Sequence, residues 1–127
     1  MPAEGNSDTI SRSSDGETSF LISFERGIIM NLTSAAIQIL PMNADDREVI
    51  RIVDEAIAFI KSFGLHTVVG PFETTVEGDY DTIMKIISEV TRISLKAGAE
   101  EIMTYVKICA KNDGDVLTIN EKTEKHN

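Results

Sequence analysis

The stretch Gly64–Asp81 constrains the fold more than any other part of the chain, because it holds two short β-type runs with no helix between them. It reads GLHTVVGPFETTVEGDYD. Gly70-Pro71 separates the runs Leu65–Val69 and Phe72–Glu77 as a turn or kink. Asp79 then offers a side-chain oxygen that can cap a new helix. The stretch predicts two consecutive strands in the middle of the chain.

An amphipathic helix pattern lies on each side of this stretch, and Gly64 and Gly98 are placed to end the two helices. The apolar residues recur at helical spacing: Val49, Ile52, Val53, Ala56, Ile57 and Ile60 in the first helix, and Ile83, Ile86, Ile87 and Val90 in the second. A further strand pattern lies beyond each helix, at Leu32–Leu40 and Glu101–Ala110. Pro41 is expected to end the first strand because it has no N–H to donate.

The resulting order, β-α-β-β-α-β, is that of the ferredoxin-like α+β folds. The handedness of parallel crossovers places both helices on one face of a four-stranded antiparallel sheet of order 4-1-3-2. The other face is expected to have no covering within the chain. It combines apolar and polar residues, as oligomer and ligand surfaces do, so we expect a homodimer or homotetramer. Its expected members are Gln38, Leu40, Thr75, Glu77, Met103 and Tyr105.

The chain divides into three parts by composition. Residues 1–29 are predicted to be a flexible extension, with Met1–Ser19 disordered and the more apolar Phe20–Ile29 able to dock or form a short element. The regular pattern begins at Met30, which suggests a start there; mass spectrometry of the natural N-terminus would test that hypothesis. Residues 30–111 form the predicted domain. Residues 112–127 are predicted to be a polar tail, with a short Val116–Ile119 run followed by a charged end that frays.

Charge and cysteine content exclude several classes of protein. The net charge is −9, which argues against a nucleic-acid surface. No apolar run approaches the roughly 18 residues that a membrane span needs, so no membrane partner is expected. Cys109 is the single cysteine, which excludes disulfide frameworks, cysteine-rich zinc sites and iron–sulfur clusters within one chain. These features predict a cytoplasmic protein with no metal site.

The cluster most able to carry chemistry is Glu73-Thr74-Thr75-Val76-Glu77. Strand alternation sends Glu73, Thr75 and Glu77 to one face and Thr74 to the other. Carboxylates on a central strand are costly unless they are paired, so either solvent satisfies them or they bind a ligand with donors or positive charge. No nucleophile and base occur at a credible spacing, so an enzyme is not expected.

Three segments resemble the thiamine-binding protein (YkoF-like) family of small ferredoxin-like domains. They read SAAIQILPM, GLHTVVGPFETTVEGDYDTIM and AGAEEIMTYVKI, and the resemblance spans Met30 to Lys111. It implies binding of thiamine or its hydroxymethylpyrimidine half at the sheet or subunit interface, in vitamin supply or salvage. It also implies an oligomer, no catalysis, and thiamine as a ligand with no cofactor. The residues carried over as ligand-binding candidates are Gln38, Thr74, Thr75, Glu77 and Tyr105.

Two alternatives of different class remain open on the sequence. One is a regulatory module similar to ACT domains, which bind amino acids at subunit interfaces. Such modules often have a glycine in the loop after the first strand, whereas residues 41–45 here contain none. The other is a purely structural oligomerisation domain, for which no ligand should change the stability.

Overall fold

The computed structural model describes residues 31–127, and the expectations for residues 1–29 lie outside this range. The elements are β1 (Leu32–Met42), α1 (Asp46–Lys61), β2 (His66–Val69), β3 (Thr74–Asp79), α2 (Tyr80–Lys96), β4 (Glu101–Cys109) and α3 (Ile119–Thr123), with a 3-10 turn at Glu124–His126. The sheet is antiparallel and has the order β2-β3-β1-β4. The predicted ferredoxin-like α+β class and strand order are therefore confirmed.

Each of the two long helices begins after an aspartate cap, and Asp79 is the cap that the sequence predicts for the second helix. The Asp45 carboxylate accepts the N–H of Glu48 at 2.9 Å, and the Asp79 carboxylate accepts the N–H of Thr82 at 3.1 Å. Each bond satisfies an amide of the first turn that has no partner within the helix. Gly98 directly follows the last cap of α2 with φ 116°, a conformation that a residue with a Cβ rarely adopts.

The core lies between the helices and one face of the sheet, here called the helix face. The cluster of buried apolar residues comprises Ala35, Ile37, Ile39, Ala56, Ile60, Val76, Ile83, Ile86 and Val90. The predicted stripe of α1 is correct in detail, since Ile52 is 1% exposed whereas Ile50, two residues away, is 62% exposed. Burying such side chains supplies the main stabilisation of the fold.

Strand β1 is longer than the sequence predicts. Pro41 was expected to end the ladder, but it pairs with Ile102, and Met42 pairs with Glu101. The prediction was wrong because β3 does not extend this far: the β1–β3 register stops at Ile37 opposite Thr74. Beyond that point the part of the chain that the structure describes gives β1 a strand neighbour on one side only, and a proline is tolerated on such an edge.

The C-terminal segment covers part of the opposite face of the sheet, here called the strap face. Within residues 115–123, here called the strap, Val116 donates its N–H to the carbonyl of Leu32 and Asp115 accepts the Leu32 N–H. Val116 and Ile119 are buried, and a reciprocal capping box fixes the start of α3. The expectation of an uncovered face was therefore wrong, because two apolar side chains and a cap anchor this short segment.

Candidate functional site

The five residues predicted to bind a ligand lie on both faces of the sheet. Gln38 and Tyr105 are cross-strand partners on the strap face, where Tyr105 is 55% exposed. Thr75 and Glu77 lie on the same face, opposite Ala36 and Ser34 of β1 in the sheet register. Thr74 lies on the helix face and is buried. The structure thus brings four of the candidates to one surface and places Thr74 elsewhere.

Glu77 has a structural partner within the chain. Its Oε1 accepts the backbone N–H of Ile119, the first residue of α3, at 2.8 Å. This bond joins the strap to the central strand β3, and its acceptor is a carboxylate, which makes a stronger bond than a neutral oxygen.

We expect Glu77→Ala to lower the free energy of unfolding by roughly 1–3 kcal/mol, because the Ile119 amide loses its charged acceptor. Thermal unfolding measures this effect. Glu121→Ala is the matched control, since it removes a carboxylate that belongs to the capping box of the same helix. If Glu77→Ala leaves the unfolding midpoint unchanged while Glu121→Ala lowers it, the proposed anchoring role of Glu77 is wrong.

The strap face contains a small polar cavity of about 290 Å³. Thr75 lines it, whereas Gln38, Glu77 and Tyr105 do not. Its ionic groups are Glu73, Lys107 and Lys122, and Lys107 Nζ lies 3.3 Å from Glu73 Oε2. A cavity with two ammonium groups and one carboxylate is poorly matched to a cationic ligand such as thiamine.

A larger and more apolar cleft opens on the helix face, and we call it the loop cleft. It has a volume of about 340 Å³, within the roughly 300–1,000 Å³ that small-molecule sites occupy. It lies between the end of β1, helix α1 and the loop that joins β2 to β3. The lining is mainly aliphatic: Ile37, Ile39, Leu40, Val49, Ile50, Val53, Ala56, Ile57 and Ile60. Its polar members are Asp54, Glu73, Thr74 and Gln38, and Gln38 therefore borders this cleft as well as the strap face.

One wall of the loop cleft is an unpaired strand edge. Among residues 31–127, residues 38–42 of β1 pair with β4 only, because β3 begins at Thr74, opposite Ile37. Alternate residues of an antiparallel strand direct their N–H and C=O groups to opposite sides. Backbone donors and acceptors of this segment therefore point toward the gap between β1 and the loop. Such groups need a partner from solvent or a ligand.

Two side chains give the loop cleft its chemical character. Thr74 is 5% exposed, and its hydroxyl makes no hydrogen bond to any group of residues 31–127. A buried hydroxyl without a partner costs free energy, which a ligand in the cleft can relieve. At the mouth, Phe72 is 79% exposed and presents a free aromatic ring. The cleft can thus hold a flat, polar-edged ring.

Of the residues that line the loop cleft, the sequence identified Gln38 and Thr74 as ligand-binding candidates and placed Glu73 in the polar cluster, but it missed the other members. Phe72 was read as part of a strand, whereas it lies in the loop before β3. Asp54 and Ile50 of α1 were not among the candidates, and both are exposed. One signal was present: Ile50 does not fit the core stripe of its helix, and an apolar residue off the stripe points to a second apolar contact.

Among residues 31–127, no group of three or more His, Cys, Asp or Glu side chains is arranged to hold a metal ion. No helix in this part of the chain combines the length and the apolar content that crossing a membrane requires.

The model of the family described as thiamine-binding protein matches residues 35–127, which include β1 from Ala35 onward and every later element. The chain belongs to the thiamine-binding protein family. The predicted family is thereby confirmed. The match includes both the loop cleft and the strap, so both surfaces belong to the family domain.

Relatives agree with this assignment over nearly their whole length. A UPF0045 protein from Clostridium perfringens is 35% identical over 97 residues, which cover 76% of this chain and 99% of the relative. A solved structure from Thermotoga maritima, provisionally described as a thiamine biosynthesis/salvage protein, has a TM-score of 0.67 and 31% identity and covers 76% of this chain and 99% of its own.

A second solved structure, a domain of unknown function (DUF77) from Bacillus cereus, has the same TM-score of 0.67. It is 30% identical and covers 76% of this chain and 91% of its own. Both structures therefore share the fold of residues 31–127.

Proposed function

We propose that this protein binds thiamine, or the hydroxymethylpyrimidine half of it, in the loop cleft and acts in supply or salvage of the vitamin. The observation that carries the proposal is the unpaired edge of β1 within an otherwise apolar cleft. Family membership supports the ligand class. The proposal describes a binding protein and not an enzyme, with thiamine as a ligand and no cofactor.

An aminopyrimidine complements a free strand edge. Its exocyclic NH₂ is a donor and the neighbouring ring nitrogen is an acceptor, so the two groups together match a backbone C=O and N–H on one side of a strand. The segment 38–42 offers such groups toward the cleft. The Thr74 hydroxyl adds one group that can donate or accept. Both features hold the ring in one orientation.

The rest of the cleft suits the remaining parts of the ligand. Aliphatic residues of α1 and β1 can contact the methyl group and ring faces, which gains free energy by removing apolar surface from water. Phe72 can stack on an aromatic ring at the mouth. The carboxylates of Asp54 and Glu73 favour a cation, as the thiazolium ring of thiamine is.

We expect Thr74→Val to weaken binding of hydroxymethylpyrimidine by roughly 2- to 12-fold, the range for losing one hydrogen bond of about 0.5–1.5 kcal/mol. The free protein should not be destabilised, because the substitution removes a buried hydroxyl that has no partner within residues 31–127. Isothermal titration calorimetry measures the affinity, and thermal unfolding measures the stability.

Thr75→Val is the matched control, since the neighbouring threonine lies on the strap face. It should leave the affinity unchanged. The opposite result, weaker binding with Thr75→Val and not with Thr74→Val, would move the site to the strap face, where Gln38, Glu77 and Tyr105 were predicted to act. If neither pyrimidine nor thiamine binds but an amino acid raises the unfolding midpoint, the regulatory alternative replaces this proposal.

We also propose that the protein is a homo-oligomer and that it is located in the cytoplasm. The strap face supports self-association, because Val68, Met103 and Tyr105 leave apolar surface exposed beside the strap. Light scattering on the full chain measures the mass of the assembly.

A further inference from the structure

We infer that the loop cleft selects the unphosphorylated vitamin and rejects its phosphate esters. This inference rests on the proposed function and adds the charge of the ligand to it. The relevant ligand class is a neutral or cationic aminopyrimidine, so hydroxymethylpyrimidine and thiamine bind, and thiamine monophosphate and diphosphate bind much more weakly.

The charges around the cleft carry the inference. Of the described residues that line it, two are carboxylates, Asp54 and Glu73, and none is lysine, arginine or histidine. A phosphate ester brings between one and two negative charges at neutral pH. In the cleft these charges would meet fixed charges of the same sign and no ammonium or guanidinium partner. Like charges brought together at a binding site oppose binding, and they do so more strongly when they are desolvated.

One ammonium group contacts the lining, and it offsets part of the charge of Glu73 but not that of Asp54. Lys107 contacts Glu73, with Nζ 3.3 Å from Oε2, but it projects from the strap face and is 77% exposed. It reduces the charge of Glu73 without entering the cleft. Asp54 has no salt-bridge partner among residues 31–127, so its charge remains fully available at the mouth.

Helix α1 supplies a matched control for Asp54 at the next position, Glu55. Asp54 and Glu55 are adjacent and both exposed, but Asp54 lines the cleft and Glu55 does not. Substitutions at the two positions change the net charge of the molecule equally, but only the one at Asp54 changes the charge at the site. They provide a matched pair for the test.

The first experiment titrates the wild-type full chain with hydroxymethylpyrimidine, thiamine, thiamine monophosphate and thiamine diphosphate at low ionic strength. We expect the monophosphate to bind about tenfold or more weakly than thiamine, and the diphosphate more weakly still. High salt should reduce the difference, since the Debye length falls from about 30 Å at 0.01 M to about 3 Å at 1 M.

The second experiment compares two isosteric variants. Asp54→Asn should reduce the preference for thiamine over its monophosphate by roughly fivefold, because one unit charge near the phosphate is removed. It should leave the affinity for neutral hydroxymethylpyrimidine unchanged, which separates a charge effect from damage to the cleft. Glu55→Gln removes the same charge one residue away and should leave the preference as it is in the wild type.

The outcomes distinguish this inference from the proposed function. If none of the four compounds binds, the proposed function is wrong. If all four bind with similar affinity, or the phosphate esters bind more tightly, the proposed function stands and the selectivity is wrong. An equal response of the preference to Asp54→Asn and Glu55→Gln would assign the effect to net charge and would also contradict the inference.

Discussion

Replacement of Phe72 by alanine should weaken thiamine binding by roughly 5- to 150-fold. The range corresponds to about 1–3 kcal/mol for stacking of a base on an aromatic side chain. The stability of the free protein should hardly change, because Phe72 is 79% exposed and contributes little to the core. Isothermal titration calorimetry and thermal unfolding of the same sample measure the two quantities.

Tyr105→Ala is the control for this substitution. Tyr105 is also aromatic and exposed, but it lies on the strap face opposite Gln38. If thiamine binds in the loop cleft, Tyr105→Ala should leave the affinity for thiamine nearly unchanged. A loss of binding with Tyr105→Ala and none with Phe72→Ala would mean that the ligand occupies the strap face and that the loop cleft is not the site.

The largest effect on stability is expected from Ile52→Ala. Ile52 is 1% exposed on the inner side of α1, and truncating a buried isoleucine to alanine typically costs about 2–5 kcal/mol through lost burial and the cavity left behind. For a domain of about 100 residues this lowers Tm by at least about 8 °C. Denaturant titration gives the free energy directly.

Ile50→Ala makes the same chemical change two residues away on the same helix. Because Ile50 is 62% exposed, its truncation should change the free energy of unfolding by no more than about 0.5 kcal/mol. Equal destabilisation by both variants would show that α1 is rotated relative to the core. Ile50→Ala also removes apolar surface from the lining of the loop cleft. Because the stability should hardly change, a loss of ligand affinity in this variant would reflect the cleft and not unfolding.

The two faces of the sheet differ in what covers them. The strap face is partly closed by the chain itself, through Val116, Ile119 and the bond from the Ile119 amide to Glu77. The helix face contains the core, and where β3 stops short of β1 the core opens into the loop cleft. The ligand site proposed here is thus a consequence of unequal strand lengths.

The sequence alone determined the fold class and the helix ends. The spacing of Ile52, Ala56 and Ile60 is a local periodic signal, and burial follows from it directly. The aspartate caps at Asp45 and Asp79 are local as well, because the amides that they satisfy lie three residues away. Three sequence segments together also indicated the family, which the family model confirms.

Tertiary structure alone decided which candidate residues meet. Strand alternation predicted that Thr74 and Thr75 face opposite ways, but only the sheet register showed that Thr74 adjoins a cleft completed by α1, whose residues are about 20 positions away in the chain. The end of β3 opposite Ile37 and the docking of the strap through Leu32 depend on pairings between distant segments. Such pairings leave no periodic trace in the local sequence, so the cleft and the covered strap face became visible only in the folded chain.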